Sequence, residues 1–303
     1  MKNSPVRCKM YFKNILVPLS GAANDCDTAA LESAFNLASR FGAHVNALHI
    51  KIDPRTAAAF VGEGMTSTMI ESVIDMAEKE GQDRRQRAHA TFDKVTAALQ
   101  VPLVTNMADR PNATGASARF VEMQGNSEDT IHSYGRLFDL IIICKQEGEE
   151  QISNSLLINT ALRETGRPVL LLDSTQPHDM GKRVAFAWNG SVEASRALSY
   201  SLPFLQTAEN VTLISAIDDL DEAIYPEAVQ RYLAMYGVTA DRCEISGTNG
   251  KSTAESIIAA ATKSNADLLV MGAYTRSRLR RLFFGAVTEE ILNNCPIPVF
   301  MAH

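Results

Sequence analysis

Residues 266–303, ADLLVMGAYTRSRLRRLFFGAVTEEILNNCPIPVFMAH, carry the pattern that decides the fold class. Asp267 to Met271 reads as an unbroken apolar run, as in a parallel strand covered by helices on both faces. Gly272 ends that strand. A loop with four arginines follows, and Gly285 opens the run AVTEEILNN, in which Val287, Ile291 and Leu292 share one helical face. Pro296 and Pro298 stop the helix, and residues 299–301 form a last short strand. A glycine turn ahead of a helix start can hold phosphate, because free main-chain N–H groups and the helix dipole both point outward there.

Working outward, the same order of elements recurs. NILVPL (14–19) reads as a strand and Ser20–Gly21 as a turn. Asp27 or Thr28 caps a helix that turns Ala30, Leu31, Ala34, Phe35, Leu37 and Ala38 inward and closes at Gly42. VNALHI (45–50) is a second strand. Residues 69–99 are helical in composition, with a break expected at Gly81. Strands follow at 119–123, 137–144 and 168–172, with helices at 125–134 and 155–163. DSTQPHDMG (173–181) is a linker with almost nothing apolar. The pattern then restarts. A strand at 183–188 repeats the first, Asn189–Gly190 repeats Ser20–Gly21, and a helix at 193–205 follows. Next come a strand at 211–217, a helix at 221–236, a strand at 242–246 and a helix at 252–263. The matching glycines Gly21 and Gly190 lie further apart than the matching aspartates Asp139 and Asp267. The first copy therefore carries roughly forty extra residues, most simply between its second and third strands.

Two such copies imply an α/β chain with two doubly wound parallel sheets in tandem, as domains 11–173 and 182–303. Ligands of such sheets bind beyond the carboxyl ends of the strands, where the strand order switches direction.

Composition narrows the function. The 303 residues are 46% hydrophobic and 21% charged, a globular balance. A formal net charge of -6 argues against nucleic acid as a partner. Five cysteines, at 8, 26, 144, 243 and 295, form no metal-type spacing and fit a reducing cytoplasm, with Cys144 a small buried residue. No apolar run is long enough to span a membrane, and no leader pattern is expected at the start.

The openings NILVPLSG and RVAFAWNG and the endings GRPVLLL and CPIPVFMAH give the chain the form of a tandem universal stress protein, a resemblance that covers nearly all of both halves. It implies five parallel strands per half in the order 3-2-1-4-5, with the last strands paired to imitate a homodimer. Nucleotide-binding members carry Gly-x2-Gly-x9-Gly-Ser/Thr before the last helix. Here that motif falls on Gly272, Thr275, Gly285 and Ala286, so one glycine and one hydroxyl are replaced. The resemblance implies a cytoplasmic stress-response protein that binds an adenine nucleotide, ATP first, with or without Mg2+, as a sensor or regulator. The residues it points to are Asn189, Gly190, Ser191, Ala216, Ile217, Gly272, Thr275, Arg276, Gly285, Ala286, Val287 and Thr288. The usual acidic residue after strand one is Ser20 in the first half and Asn189 in the second, which leaves no metal carboxylate there. The first copy has only Gly148 after its fourth strand, beside acidic residues 147, 149 and 150, so its pocket reads as degenerate or built for something uncharged.

Other features stand beside these. Arg276, Arg278, Arg280 and Arg281 form a basic cluster that suits phosphate, an acidic partner or a solvated surface. Residues 247–253, GTNGKST, resemble the short loop of Mur-type ligases, but Ile245 stands where a full Walker A needs glycine. Lys251 is then either a phosphate ligand or a solvated lysine. His44 and His49, on a turn and a strand, and the separate His132, His178 and His303 build no metal site. Trp188 ends a strand and fits the core. Met65, Met69, Ile70, Val73, Ile74 and Met76 share a face that suits a lid, a partner site, a tunnel wall or packing on the sheet. A nucleotide-independent scaffold, a homodimer or protein partner, and a weak ATP-hydrolysing enzyme are the competing readings.

Overall fold

The computed structural model describes residues 12–55, 66–106, 108, 115–146, 148–176, 179–215, 225–245, 252–273 and 286–303. In order, the first half contains β1 (Asn14–Leu19), α1 (Cys26–Phe41), β2 (His44–Lys51), α2 (Ser67–Ala98) and β3 (Ser117–Gln124). It continues through α3 (Ser127–Tyr134), β4 (Leu140–Cys144), α4 (Gln151–Glu164) and β5 (Val169–Leu172). The second half contains β6 (Arg183–Trp188), α5 (Val192–Tyr200), α6 (Leu202–Leu205), β7 (Asn210–Ser215), α7 (Pro226–Met235) and β8 (Asp241–Glu244). It ends with α8 (Thr253–Lys263), β9 (Leu268–Gly272), α9 (Ala286–Asn294) and β10 (Val299–Ala302).

Each half has five parallel strands in the order 3-2-1-4-5. The two sheets join edge to edge into one ten-stranded sheet, β3-β2-β1-β4-β5-β10-β9-β6-β7-β8. The join is antiparallel, with Phe300 opposite Leu170 and Met301 opposite Val169. Pairing the two terminal strands removes an exposed row of N–H and C=O groups from each sheet.

Helices cover both faces. One core packs α1, the last part of α2, and α5 to α7 against Ile15, Val17, Leu213 and Val270. The other packs α3, α4, α8 and α9 against Leu16, Ile141, Ile143 and Leu269. Phe12, Phe41, Phe204 and Phe300 form an aromatic cluster drawn from both halves, with Phe12 and Phe204 centroids 5.3 Å apart. A buried Phe contributes about 1.5–3 kcal/mol, so the cluster is a substantial tie between the halves. Arg40 of α1 adds another. Its guanidinium donates to the Met180 and Gly181 carbonyls and lies 5.2 Å from the Phe41 ring centre.

A repeated clamp fixes the relation of β1 to β4 and of β6 to β9. Asp139, just before β4, accepts the Lys13 and Asn14 amides at 2.7 and 3.0 Å. Asp267, just before β9, accepts the Gly181, Lys182 and Arg183 amides at 2.7, 3.0 and 3.1 Å. The turns after β1 and β6 also match, since Gly21 and Gly190 both have positive φ, at 64° and 72°.

The structure alters several local expectations. The extra residues do lie between β2 and β3, where α2 runs unbroken through Gly81. One internal glycine costs a helix only about 1 kcal/mol, too little to break thirty-odd residues of good helix formers. Among the described residues of α2, none before Ala88 is buried, so the apolar face at Ile70, Val73 and Ile74 is not packed into the sheet; Met65 lies outside the described residues. The helix expected over 193–205 is split into α5 and α6, because Pro203 cannot continue the hydrogen-bond ladder. Asp27 does not cap α1, which begins at Cys26. His44 belongs to β2 rather than to a turn, and Trp188 is buried in the core as expected.

Candidate functional site

The candidate residues of each half lie around the carboxyl ends of its strands. In the second half, Asn189 is exposed and its Oδ1 accepts the Ser191 amide at 3.2 Å. Ser191 caps α5, its Oγ accepting the Ala194 amide at 3.0 Å. Gly272 ends β9 directly against that helix start. A Cβ on Gly272 would stand 2.5 Å from the Ala194 nitrogen, so only glycine permits the approach. Ala286 opens α9 on the exposed side, Val287 is half-buried, and Thr288 is buried on the core side of the helix. The structure thus brings Asn189, Gly190, Ser191 and Gly272 to one end of the sheet. Ala216, Ile217, Thr275, Arg276, Gly285, the arginine cluster and Lys251 lie outside the described residues.

The start of α8 does not resemble a phosphate cradle. Ser252 and Glu255 form a reciprocal capping box, and Ser252 Oγ donates to Glu290 Oε1 at 2.6 Å. The box satisfies the Ser252 and Glu255 amides, and the Glu255 and Glu290 carboxylates stand beside the helix start.

The first half holds a cavity of about 920 Å³ over the ends of β1, β2 and β4, walled on one side by α2. Pro18 helps to open it. A proline in a central strand has no N–H to give, and the β1–β4 ladder stops after Leu16↔Ile141. The matching ladder in the second half continues to Ala187↔Met271. The α2 wall is held close by Gly21. A Cβ there would lie 2.1 Å from the Arg84 carbonyl oxygen, and the Gly21 carbonyl accepts Arg87 Nε at 2.6 Å.

Three polar side chains at the base of this cavity escaped the reading by sequence pattern. Asp27 accepts the Ser20 amide at 3.0 Å and the Gly21 amide at 2.8 Å. Burial raises its pKa, against the lowering effect of those hydrogen bonds. His49 places Nδ1 3.2 Å from the Leu19 carbonyl oxygen, and burial lowers its pKa. The ring is then neutral at pH 7, Nδ1 donates, and Nε2 is left as an acceptor. Gln146 accepts from Asn24 Nδ2 at 2.6 Å and donates to Ser20 Oγ at 3.3 Å. A polar residue inside a buried parallel strand, as His49 is, was the available signal for this site. Asp27 comes from the first turn of α1, and Gln146 follows β4, a juxtaposition that no local spacing reveals.

On the far wall, Arg84 pairs with Glu150 at 2.6 Å and Glu80 at 2.8 Å. The hydrogen bond from Arg84 holds the Glu150 carboxyl below its ordinary value. Cys144 lies beside Cys26, and that contact together with burial pushes its thiol pKa far up, which makes it unreactive as a nucleophile. Among the described residues no group of three or more His, Cys, Asp or Glu side chains could hold a metal ion. No described helix is long and apolar enough to cross a membrane.

Comparison with known proteins agrees with this geometry. Residues 180–303 match the universal stress protein family. Over 303 residues the chain is 22% identical to the universal stress protein Slr1230 of Synechocystis sp., covering 95% of this chain and 98% of that one. A solved universal stress protein from Archaeoglobus fulgidus DSM 4304 shares the fold with a TM-score of 0.60 at 15% identity, over 95% of this chain and 97% of that one. A protein of unknown function from Pseudomonas aeruginosa PAO1 shares it with a TM-score of 0.53 at 18% identity, over 96% and 92%. The second half thus matches the universal stress protein family, and the chain as a whole is similar to a universal stress protein from end to end.

Proposed function

We propose that the chain is a cytoplasmic stress-response protein that holds an adenine nucleotide, ATP first, in the crevice of its second half and acts as a sensor or regulator. The observation that carries this reading is the approach of Gly272 to the start of α5, which no side chain at that position would allow. It sets the end of β9 directly against the start of α5, where the helix dipole favours an anion. The family match covers the same half. Asn189 and Ser191 stand where they can meet a ribose. This reading assigns the phosphate to the stretch with Thr275, Arg276 and Gly285, which follows β9 in sequence, and the base to residues 216 and 217, which follow β7 in sequence. In this reading residues 11–173 and 182–303 act as separate domains, each with its own ligand chemistry. Hydrolysis is not assigned, because Asn189 offers no charge for Mg2+ at the position after strand one.

The test is calorimetric titration of the ligand-stripped full chain with ATP and Mg2+, repeated on Gly285→Glu. Micromolar binding near one site per chain, lost in the folded variant, supports the reading. Absence of binding to the folded, stripped protein overturns it.

A further inference from the structure

We infer that the cavity of the first half is a second, chemically different binding site, for a largely apolar small molecule that lacks phosphate and presents a hydroxyl or amine hydrogen. This inference is independent of the nucleotide reading of the second half.

Size and shape come first. A volume of about 920 Å³ suits a small molecule, and the cavity lies where the sheet opens at Pro18. Its walls are mostly apolar, with Leu19, Leu48, Ile50 and Ile143 from the strands and Ala77 from α2. These groups remove apolar ligand surface from water without asking for partners.

The polar groups select the rest of the ligand. His49 and Asp27 both line the cavity, 4% and 5% exposed. The imidazole gives its one hydrogen to the Leu19 carbonyl, so Nε2 can only accept. The Asp27 oxygens already accept the Ser20 and Gly21 amides and the Ser20 hydroxyl, which hold the side chain in place. A ligand that offers O–H or N–H can donate to His49 Nε2, and a ligand with acceptors alone cannot.

Charge excludes phosphate. Asp27, Asp53, Glu80, Glu128 and Glu150 border the cavity, with Lys51 and Arg84 as the cationic side chains. Arg84 is already engaged by Glu150 and Glu80, so it is not free to clamp an anion. An anionic group entering here meets net repulsion in a site partly closed to water.

Gly81 supplies a clean test. It lines the cavity from α2, and a Cβ added to it would meet no atom within 4 Å. A large side chain at this position can fill the cavity without a backbone clash, and replacing a helical glycine favours the helix. Two dyes serve as probes of the full chain. N-phenyl-1-naphthylamine is apolar, uncharged and carries one N–H. Its 8-sulfonate has the same rings and N–H with an added anion. The expected result is saturable binding of the uncharged dye near one per chain, and binding of the sulfonate about tenfold weaker or more. Gly81→Phe should abolish the uncharged dye's site while its melting temperature stays equal or rises, and Ala77→Leu should weaken it. Saturating ATP with Mg2+ should leave the dye bound. Equal binding of the sulfonate, displacement of the dye by ATP, or unchanged binding in a folded Gly81→Phe together with a folded Ala77→Leu would each overturn the inference. The dye experiment reads the first half alone, so its outcome is separable from that of the ATP titration.

Discussion

The two halves share a strand order, a glycine turn after the first strand and an aspartate clamp, yet their crevices are built from opposite materials. At the end of the first strand, the first half turns a buried carboxylate, Asp27, back onto Ser20 and Gly21, whereas the second uses the uncharged Asn189 and Ser191. At the end of the fourth strand, Cys144 stands where the other half has Gly272. At the end of the second strand, His49 stands where the other half has Ser215. Pro18 stands where the other half has Ala187, and the ladder to the fourth strand is shorter in the first half. One framework therefore carries different side chains at matched strand ends, because the strand order and the aspartate clamps do not depend on them.

Substitutions in matched positions can break or sharpen this comparison. The largest difference is expected at the glycine turns. Gly21→Ala combines a left-handed backbone with a direct clash against the Arg84 carbonyl, and should cost about 3 kcal/mol or more in urea unfolding. Gly190→Ala faces the backbone strain, at about 1–2 kcal/mol. Equal losses would mean that α2 does not depend on its seat at Gly21. The aspartate clamps should differ less. Asp267→Ala removes the acceptor of three main-chain N–H groups and should cost about 2–3 kcal/mol, against about 1–2 kcal/mol for Asp139→Ala with two. A reversed order would show that the count of clamped amides does not set the strength of the frame.

The smallest effect is a pH dependence confined to the first half. Burial holds the His49 pKa below its ordinary 6.5. As pH falls through 6.5, the unfolded chain gains a proton at this residue while the folded chain does not. Its contribution is thus complete above that value and declines as pH drops toward the lower folded value. Melting curves of His49→Gln should show a flatter acid limb than the parent, whereas Ser215→Ala should leave the limb unchanged. Asp27 acts with the opposite sign, because burial raises its pKa, so the difference between variant and parent is the quantity to read.

The frame was legible in the sequence because its signals are local and repeated. Unbroken apolar runs gave the strands, and the matched pairs Gly21/Gly190 and Asp139/Asp267 aligned the halves. The halves of the site were not equally legible. Asn189, Gly190, Ser191 and Gly272 sit in short motifs around strand ends, and the structure does bring them to one end of the sheet. By pattern Asp27 reads as a cap, since an acidic residue near a helix start has that ordinary use, and its tertiary contact with the Ser20 turn overrides the local preference. Gln146 meets Asn24 and Ser20 only because β4 lies beside β1, a contact that depends on strand order. Gly81 reads as a helix break by its own propensity, and the good helix formers on either side carry α2 through it.

The antiparallel seam between β5 and β10 has a consequence for inheritance. Were the halves separate copies of one chain, a substitution on the axis would always appear twice and face itself. Here Leu170 faces Phe300 and Val169 faces Met301, two different residues across each step. Each side of the seam can change alone while the other compensates, so a single gene can let one half drift toward a new ligand and keep its twin unaltered as a structural partner.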